Sequence, residues 1–113
     1  MDDPYVDKEL VSNLLYNEEK YIKEFAGASI ESFTEFKIKF TKFFLAGDMN
    51  MLRQTGHKIK PVAQMLNLDE LLVMYERSKE LLASSHPLKE KEKLLDKVVD
   101  YCDKVIHQFE EMK

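Results

Sequence analysis

The chain has 113 residues, of which 44% are hydrophobic and 34% are charged, and its formal net charge is -4. This length suits one domain over residues 1–113 that buries roughly two thirds of its unfolded surface. The acidic balance argues against nucleic acid as a partner, and no apolar run is long enough to cross a bilayer. The charge-rich N-terminus does not resemble a secretory signal, so we expect a cytoplasmic protein with no membrane partner.

The N-terminal half of the chain predicts a short helix followed by a long one. Asp3 and Pro4 predict the cap and first residue of the short helix, which should end near Tyr16. Its apolar face comprises Val6, Leu10 and Leu14. Asn17 predicts the cap of the long helix, which should run to Gly47. The long helix carries an aromatic seam with spacings of three and four: Ile22, Phe25, Ser29, Phe33, Phe36, Phe40 and Phe43.

The C-terminal half predicts three further helices. Gly47 followed by Asp48 predicts a helix end and an immediate helix start, so the third helix should run from about residue 49 to 66. Asn67 and Glu70 predict a capping pair for the fourth helix. Its shared face comprises Leu68, Leu71, Tyr75, Ser78 and Leu82, and it closes at residues 84–87. The seam of the last helix comprises Leu95, Val98, Cys102, Val105, Phe109 and Met112.

These elements predict an all-α fold. No segment shows the sustained alternation of a strand, and no repeat or domain boundary is visible. Four long amphipathic helices with short connections predict an antiparallel four-helix bundle of up-down-up-down order. The short N-terminal helix is expected to cover one end of the bundle.

His57 is the residue on which the functional argument depends. Counting about 100° per residue, one face of the third helix is apolar and His57 lies nearly opposite its centre. That apolar face comprises Leu52, Thr55, Ile59, Val62, Ala63 and Leu66. Arg53, Lys60 and Gln64 fall within about 60° of His57. Neighbouring cations disfavour the imidazolium and attract an anionic electrophile, as acceptance of a phosphoryl group requires.

The spacing around this histidine follows a known pattern. Asp48, in a Gly-Asp turn, comes nine residues before His57, and Ile59 and Lys60 stand two and three residues after it. Together with further apolar positions, this makes the segment from about residue 36 to 72 resemble the histidine phosphotransfer (HPt) domain of multistep two-component signalling. The further positions are Phe40, Leu45, Leu52, Ala63, Leu66 and Leu71.

The resemblance implies a helical bundle whose exposed His57 takes a phosphoryl group from a receiver-domain aspartate and passes it to another receiver. Lys60 would steady the phosphoryl oxygens. The other predicted binding positions are Arg53, Gln64, Lys58, Pro61 and Gly56. The chain would be a monomeric carrier rather than an enzyme, with no ATP-dependent kinase activity and no cofactor or metal. Its partners would be response-regulator receivers and a hybrid sensor kinase.

Two positions depart from the family pattern. Pro61 stands where the family usually has glycine, and Gly56 where it usually has alanine. Pro61 has no N–H for the His57 carbonyl and its ring crowds that carbonyl, which predicts a local kink. It motivates an alternative, in which the bundle binds a receiver or another signalling protein without carrying phosphate. A second alternative, a helix-turn-helix DNA reader over residues 66–82, is disfavoured by its few cations.

The remaining reactive side chains are interpreted as structural. His86 precedes a proline in a turn and His107 lies in the last helix, and neither has cationic neighbours like those of His57. Cys102 falls on the seam of the last helix and is expected to be a small buried hydrophobe. The spacing of the histidines and the single cysteine do not predict a metal site.

Overall fold

The computed structural model describes residues 4–113, and within them the chain forms five α-helices and no strand. The helices are α1 (Lys8–Leu14), α2 (Glu19–Ala46), α3 (Met49–Met65), α4 (Asp69–Ala83) and α5 (Leu88–Glu110). The predicted all-α fold is therefore confirmed for this part of the chain. None of these helices combines the length and apolar character that a bilayer crossing needs.

The four long helices enclose one hydrophobic core. α2 packs against α3 and α5, and α4 packs against the same two helices. The largest side chains that are completely buried are Phe33, Phe40, Phe44 and Phe109. Each contributes about 1.5–3 kcal/mol relative to an exposed side chain, so this phenylalanine cluster holds α2 against α5 and its other neighbours. The rings of Phe33 and Phe109 stack across the α2–α5 contact with centroids 6.2 Å apart.

The aromatic seam of α2 ends one residue later than its spacing predicts. Phe33, Phe36 and Phe40 are buried as expected, but Phe44 rather than Phe43 completes the buried stripe. Phe44 lies one helical turn after Phe40, and their stacked rings have centroids 5.4 Å apart. Phe43 is only partly buried at the edge of the core. Steps of three and of four both suit a helix, so spacing alone does not decide between neighbours.

The turn between α2 and α3 has the predicted geometry. Gly47 adopts the left-handed conformation, with φ of 68°, that ends many helices. The Asp48 carboxylate accepts a hydrogen bond from the Met51 N–H at 3.0 Å and caps α3. This tight reversal sets where α3 begins and therefore where His57 falls along it.

The start of α1 was predicted wrongly. The helix begins at Lys8 and is capped by Asp7, whose carboxylate accepts from the Leu10 N–H at 3.1 Å, so Pro4 is not its first residue. Asp3, the predicted cap, lies outside the described residues. The buried residue of α1 is Val11, whereas Leu14 of the predicted face is exposed.

A side chain of α5 holds the segment before α1. The Gln108 Oε1 atom accepts hydrogen bonds from the backbone N–H groups of Tyr5 and Val6, at 2.8 and 2.7 Å. Val6 is buried in the core, and the Tyr5 ring packs edge to face on Tyr101 of α5. The N-terminal segment is thus fastened to the C-terminal half of α5.

Neither predicted asparagine caps a helix. Asn17 and Asn67 have φ of 57° and 58°, and the N-cap positions of α2 and α4 are occupied by Glu18 and Leu68, which make no side-chain cap bond. Asparagine tolerates the left-handed region better than most residues. Each asparagine therefore turns the chain after the preceding helix instead of starting the next one.

Helices α3 and α4 approach closely at Gly56. An added Cβ at Gly56 would lie 1.9 Å from Cζ of Tyr75, so the tyrosine ring occupies the space that any other side chain would need. Tyr75 is itself buried, with 7% of its surface exposed. Gly27 in α2 is the opposite case, because an added Cβ there meets nothing within 4 Å.

These two glycines make a matched pair of substitutions. Gly56→Ala should lower the free energy of unfolding by about 1–3 kcal/mol, because a buried ring must move to admit the methyl group. Gly27→Ala should raise it by roughly 0.5–1 kcal/mol, because alanine is the better helix former and the site is open. Urea unfolding followed by circular dichroism measures both changes. A Gly56→Ala variant as stable as the wild type would contradict the close α3–α4 contact.

Candidate functional site

The buried face of α3 fixes the outward direction of His57. Leu52, Ile59 and Ala63 are almost completely buried, with 0%, 3% and 0% of their surfaces exposed. Thr55 lies on the same face, and its hydroxyl donates to the Met51 carbonyl at 2.9 Å. His57 lies on the opposite side and is exposed, as predicted.

Within the part of the chain that the structure describes, His57 differs from the other two histidines in having no carboxylate partner. Nδ1 of His86 lies 3.1 Å from Oε2 of Glu90, and Nε2 of His107 lies 4.0 Å from Oε1 of Glu111. Across residues 4–113, the His57 ring makes no hydrogen bond or ion pair. Both of its ring nitrogens are therefore available to a molecule that approaches from solvent.

Three of the predicted neighbours share this exposed face. Arg53, Lys60 and Gln64 are all exposed on α3, one to two turns from His57. Within the described residues, none of their side-chain donors is engaged in an ion pair or hydrogen bond. The face around His57 thus offers two unneutralised cations and an amide to an incoming anion.

Lys58 points away from this group. Its Nζ atom lies 2.9 Å from Oε2 of Glu35 on α2, and the Lys39 Nζ lies 2.6 Å from Oε1 of the same carboxylate. Lys58 therefore belongs to an ion-pair cluster between α2 and α3, which we call the Glu35 cluster (Glu35, Lys39 and Lys58). Of the predicted binding residues, this is one that the structure does not bring to His57.

The Glu35 cluster shifts the titration of its carboxyl group. Hydrogen bonds from two lysines lower the pKa of Glu35 from 4.5 to about 2, and the bond from Lys39 has a larger effect than the bond from Lys58. The side chain of Glu35 is 36% exposed, so solvent screens part of the attraction. A lowered folded-state pKa stabilises the fold above about pH 4.5, and this contribution is lost as the pH falls through about 2.

Gly56, another of the predicted binding residues, is buried and does not lie on the exposed face of α3. It is buried beneath the Tyr75 ring of α4, whose hydroxyl lies 3.4 Å from the Leu52 carbonyl oxygen and 3.5 Å from that of Arg53. Burial raises the pKa of Tyr75, so its phenol stays protonated and acts as a donor. The structure therefore places Gly56 in the α3–α4 interface and not on the exposed face of α3.

Pro61 stands on the exposed side of α3. The helix continues through it without interruption to Met65. The ring lies about 40° from His57 on the helical wheel, so any partner that reaches His57 also meets this ring. Its neighbour on that edge, Met65, is exposed to 43%.

The site is an open helix surface and not a pocket. A groove of about 900 Å³ lies between the N-terminal segment and α5, and one of about 160 Å³ lies between α2 and α3 beside the Glu35 cluster. His57 lines neither of them. An open surface of this kind does not by itself exclude water from His57.

The described part of the chain gives little support for metal binding, thiol chemistry or DNA binding. No group of three or more His, Cys, Asp or Glu residues converges there as metal ligands. Cys102 is buried, and burial raises its pKa to about 12, so its thiol is unreactive. In α4, Arg77 is paired with Glu80 and Lys79 with Glu76, which leaves the suggested DNA-reading helix without a free cation.

No protein-family model, no curated protein and no solved structure matches the chain. The functional assignment therefore depends on the residues and geometry of α3 and its surroundings.

Two contacts of α3 with neighbouring helices were missed by sequence reasoning: the Glu35 cluster and the packing of Tyr75 on Gly56. Glu35 and Lys39 have the i,i+4 spacing of a helical ion pair, which was a usable signal, but its extension to Lys58 requires knowing that α2 and α3 are neighbours. Tyr75 was recognised only as a core residue. A glycine inside the helical pattern of α3 was the signal that another element approaches closely there.

The lysines of the Glu35 cluster can be tested by pH titration. In the wild type, the carboxyl carbon of Glu35 should titrate near pH 2 when followed by NMR. Lys39→Gln should raise this midpoint most and Lys58→Gln less, since the shorter contact is to Lys39. Lys23→Gln, which removes a partner of Glu19, is the control and should leave it unchanged. A wild-type midpoint near 4.5 would disprove the cluster.

Proposed function

We propose that this chain is a histidine phosphotransfer protein, a monomeric cytoplasmic carrier that accepts a phosphoryl group on His57 from a receiver-domain aspartate and passes it to another receiver. It has no ATP-dependent kinase activity of its own. Its partners are response-regulator receivers and a hybrid sensor kinase. The observation that carries the proposal is an exposed imidazole that has no carboxylate partner among residues 4–113 and is flanked on α3 by Arg53, Lys60 and Gln64.

The proposed architecture is the antiparallel up-down-up-down four-helix bundle, with α1 at one end. Two observations support it: consecutive long helices contact each other in turn, and the last of them returns to the first. The connections cover residues 47–48, 66–68 and 84–87. They are too short for the chain to return along the length of one helix before the next helix begins, so consecutive helices run in opposite directions.

The transfer step is a displacement at phosphorus. The unprotonated ring nitrogen of His57 donates its electron pair to the phosphorus as the bond from phosphorus to the receiver's aspartyl oxygen breaks. The aspartate leaves as a carboxylate, and the other imidazole nitrogen keeps its proton until solvent removes it. In transfer to the next receiver that nitrogen takes a proton back from solvent, the receiver's aspartyl oxygen bonds to phosphorus, the bond from phosphorus to the His57 nitrogen breaks, and the neutral imidazole is restored.

The chain's own contribution to this step is position and charge. Phosphoryl transfer depends almost entirely on alignment and on stabilising the phosphoryl oxygens. Lys60, one turn after His57, is assigned to those oxygens, with Arg53 and Gln64 as further donors. The open surface suits a carrier, because the receiver brings the aspartate and its metal ion and shields the site when it docks.

Phosphorylation of His57 is the first test. Incubation with a receiver domain phosphorylated by labelled acetyl phosphate should give label on the chain that acid removes and alkali does not. His57→Gln should abolish this label, whereas His107→Gln, at an exposed histidine paired with Glu111, should retain it. Label that persists in His57→Gln, or a wild type that none of several receivers labels, would overturn the proposal.

The two lysines that flank Ile59 separate phosphoryl stabilisation from general surface charge. Lys60→Gln should lower the rate constant of transfer about 10–100-fold, the equivalent of a charge-assisted hydrogen bond of about 1.5–3 kcal/mol. Lys58→Gln removes the same charge from a residue held by Glu35 and should change the rate less than about threefold. Rapid-quench measurement of phosphoryl transfer gives both values. Equal decreases in the rate constant for the two variants would mean that overall surface charge, and not a specific contact of Lys60, affects transfer.

Pro61 favours a second candidate function. In that alternative the bundle binds a receiver or another signalling protein through the same face of α3 and carries no phosphate. Titration of a fluorescent receiver with wild type and His57→Ala separates the two, because a pure binding module keeps its affinity in His57→Ala and gives no phosphohistidine.

A further inference from the structure

We propose that Tyr75 is a positioning residue for phosphoryl transfer: from α4 it holds the turn of α3 that carries His57. This inference rests on the proposed function. Tyr75 reaches neither the phosphoryl group nor the receiver, because it is buried between the two helices. It acts through the backbone of α3.

The first observation is steric. Cζ, Oη and Cε1 of Tyr75 lie 1.9, 2.2 and 2.3 Å from the position of an added Cβ on Gly56, the residue immediately before His57. The end of the phenol ring thus rests directly on the α3 backbone at this point. Tight packing of this kind transmits small displacements, because protein interiors have almost no free volume. A change in the ring therefore moves the Gly56–His57 peptide.

The second observation is a hydrogen-bonding arrangement. The Tyr75 hydroxyl lies 3.4 Å from the Leu52 carbonyl oxygen and 3.5 Å from that of Arg53. In an α-helix these are the carbonyls that accept from the N–H groups of Gly56 and His57. The hydroxyl therefore shares the acceptor of the His57 amide. The contacts are long, so the ring's packing is the larger effect and the hydroxyl the smaller one.

The third observation is that the ring is itself held in place. Lys79 Nζ lies 5.0 Å from the centroid of the Tyr75 ring and is paired with Glu76 at 2.9 Å. One turn along α4, the hydroxyl of Ser78 bonds to the Tyr75 carbonyl in the buried interface. Lys79 thus contacts the ring from its own helix while the end of the ring rests on the α3 backbone, which is the arrangement a positioning residue requires.

The consequence for transfer is a change in rate and not in docking. In-line displacement needs the ring nitrogen and phosphorus aligned at close range, and an error near 1 Å can cost about 100-fold. A docked receiver covers the exposed face of α3, which Tyr75 does not reach. Loss of Tyr75 should therefore lower the transfer rate at saturating receiver while the half-saturating receiver concentration stays the same.

The experiment compares Tyr75→Phe and Tyr75→Leu with Tyr101→Phe and Tyr101→Leu, using a receiver phosphorylated by acetyl phosphate as donor. Tyr101 is a matched control, because it is also buried but packs on Tyr5 at the N-terminal segment. Tyr75→Leu should lower the rate at saturation about tenfold and Tyr75→Phe about two- to fourfold, with half-saturation within about twofold of wild type. Both Tyr101 variants should match the wild type in rate at temperatures where all are folded.

A second measurement keeps the test independent of folding losses in the leucine variant. Tyr75→Phe should shift the His57 amide resonance in a ¹H–¹⁵N spectrum, because it removes the hydroxyl beside the Arg53 carbonyl, whereas Tyr101→Phe should not. Unchanged rates in both Tyr75 variants, a change confined to half-saturation, or equal losses in the Tyr101 variants would overturn this role. Each of those results leaves phosphorylation of His57 standing. A wild type that takes no phosphoryl group overturns the proposed function itself.

Discussion

The orientation of α3 is the constraint on which the rest of the site depends. Leu52, Ile59 and Ala63 fill the core on one side of this helix, and each large apolar side chain holds it there with about 1.5–3 kcal/mol. Rotating α3 by one residue would expose part of that stripe and press Arg53 or His57 toward the interior, where an unpaired charge costs several kcal/mol. The exposure of His57 is therefore a result of core packing, and no contact made by the histidine itself is needed.

The cationic side chains of α3 form two groups, one that faces α2 and one that faces solvent. Toward α2, Lys58 meets Glu35, and the Glu35 cluster neutralises part of the positive charge. On the solvent side, Arg53 and Lys60 form no ion pair within residues 4–113, so the local charge on this face of α3 is positive although the whole chain carries a net charge of -4. Such a local field attracts an anion to one helix face without making the protein generally basic.

Sequence reasoning succeeded where one local interaction decides the structure and failed where two residues from different helices must meet. Gly47 ends α2 and Asp48 caps α3, as their chemistry predicts. The periodicity of α3 correctly predicted that His57 is exposed. Asn17 and Asn67 suit both a cap and a left-handed turn, so local chemistry left their roles undecided. The Gly56–Tyr75 contact and the pairing of Lys58 with Glu35 depend on the packing of neighbouring helices, which spacing along one helix does not contain.

The attachment of the N-terminal segment to α5 has a topological consequence. Gln108 binds the backbone of Tyr5 and Val6, so the beginning of the described chain lies beside its final helical turns. A peptide linker of modest length joining these two neighbouring segments would form a closed ring, and a break in the α4–α5 connection, over residues 84–87, would leave every long helix and the Gly47–Asp48 turn intact. The order of the helices along the polypeptide is thus separable from their arrangement in space, and a permuted chain would present the same imidazole.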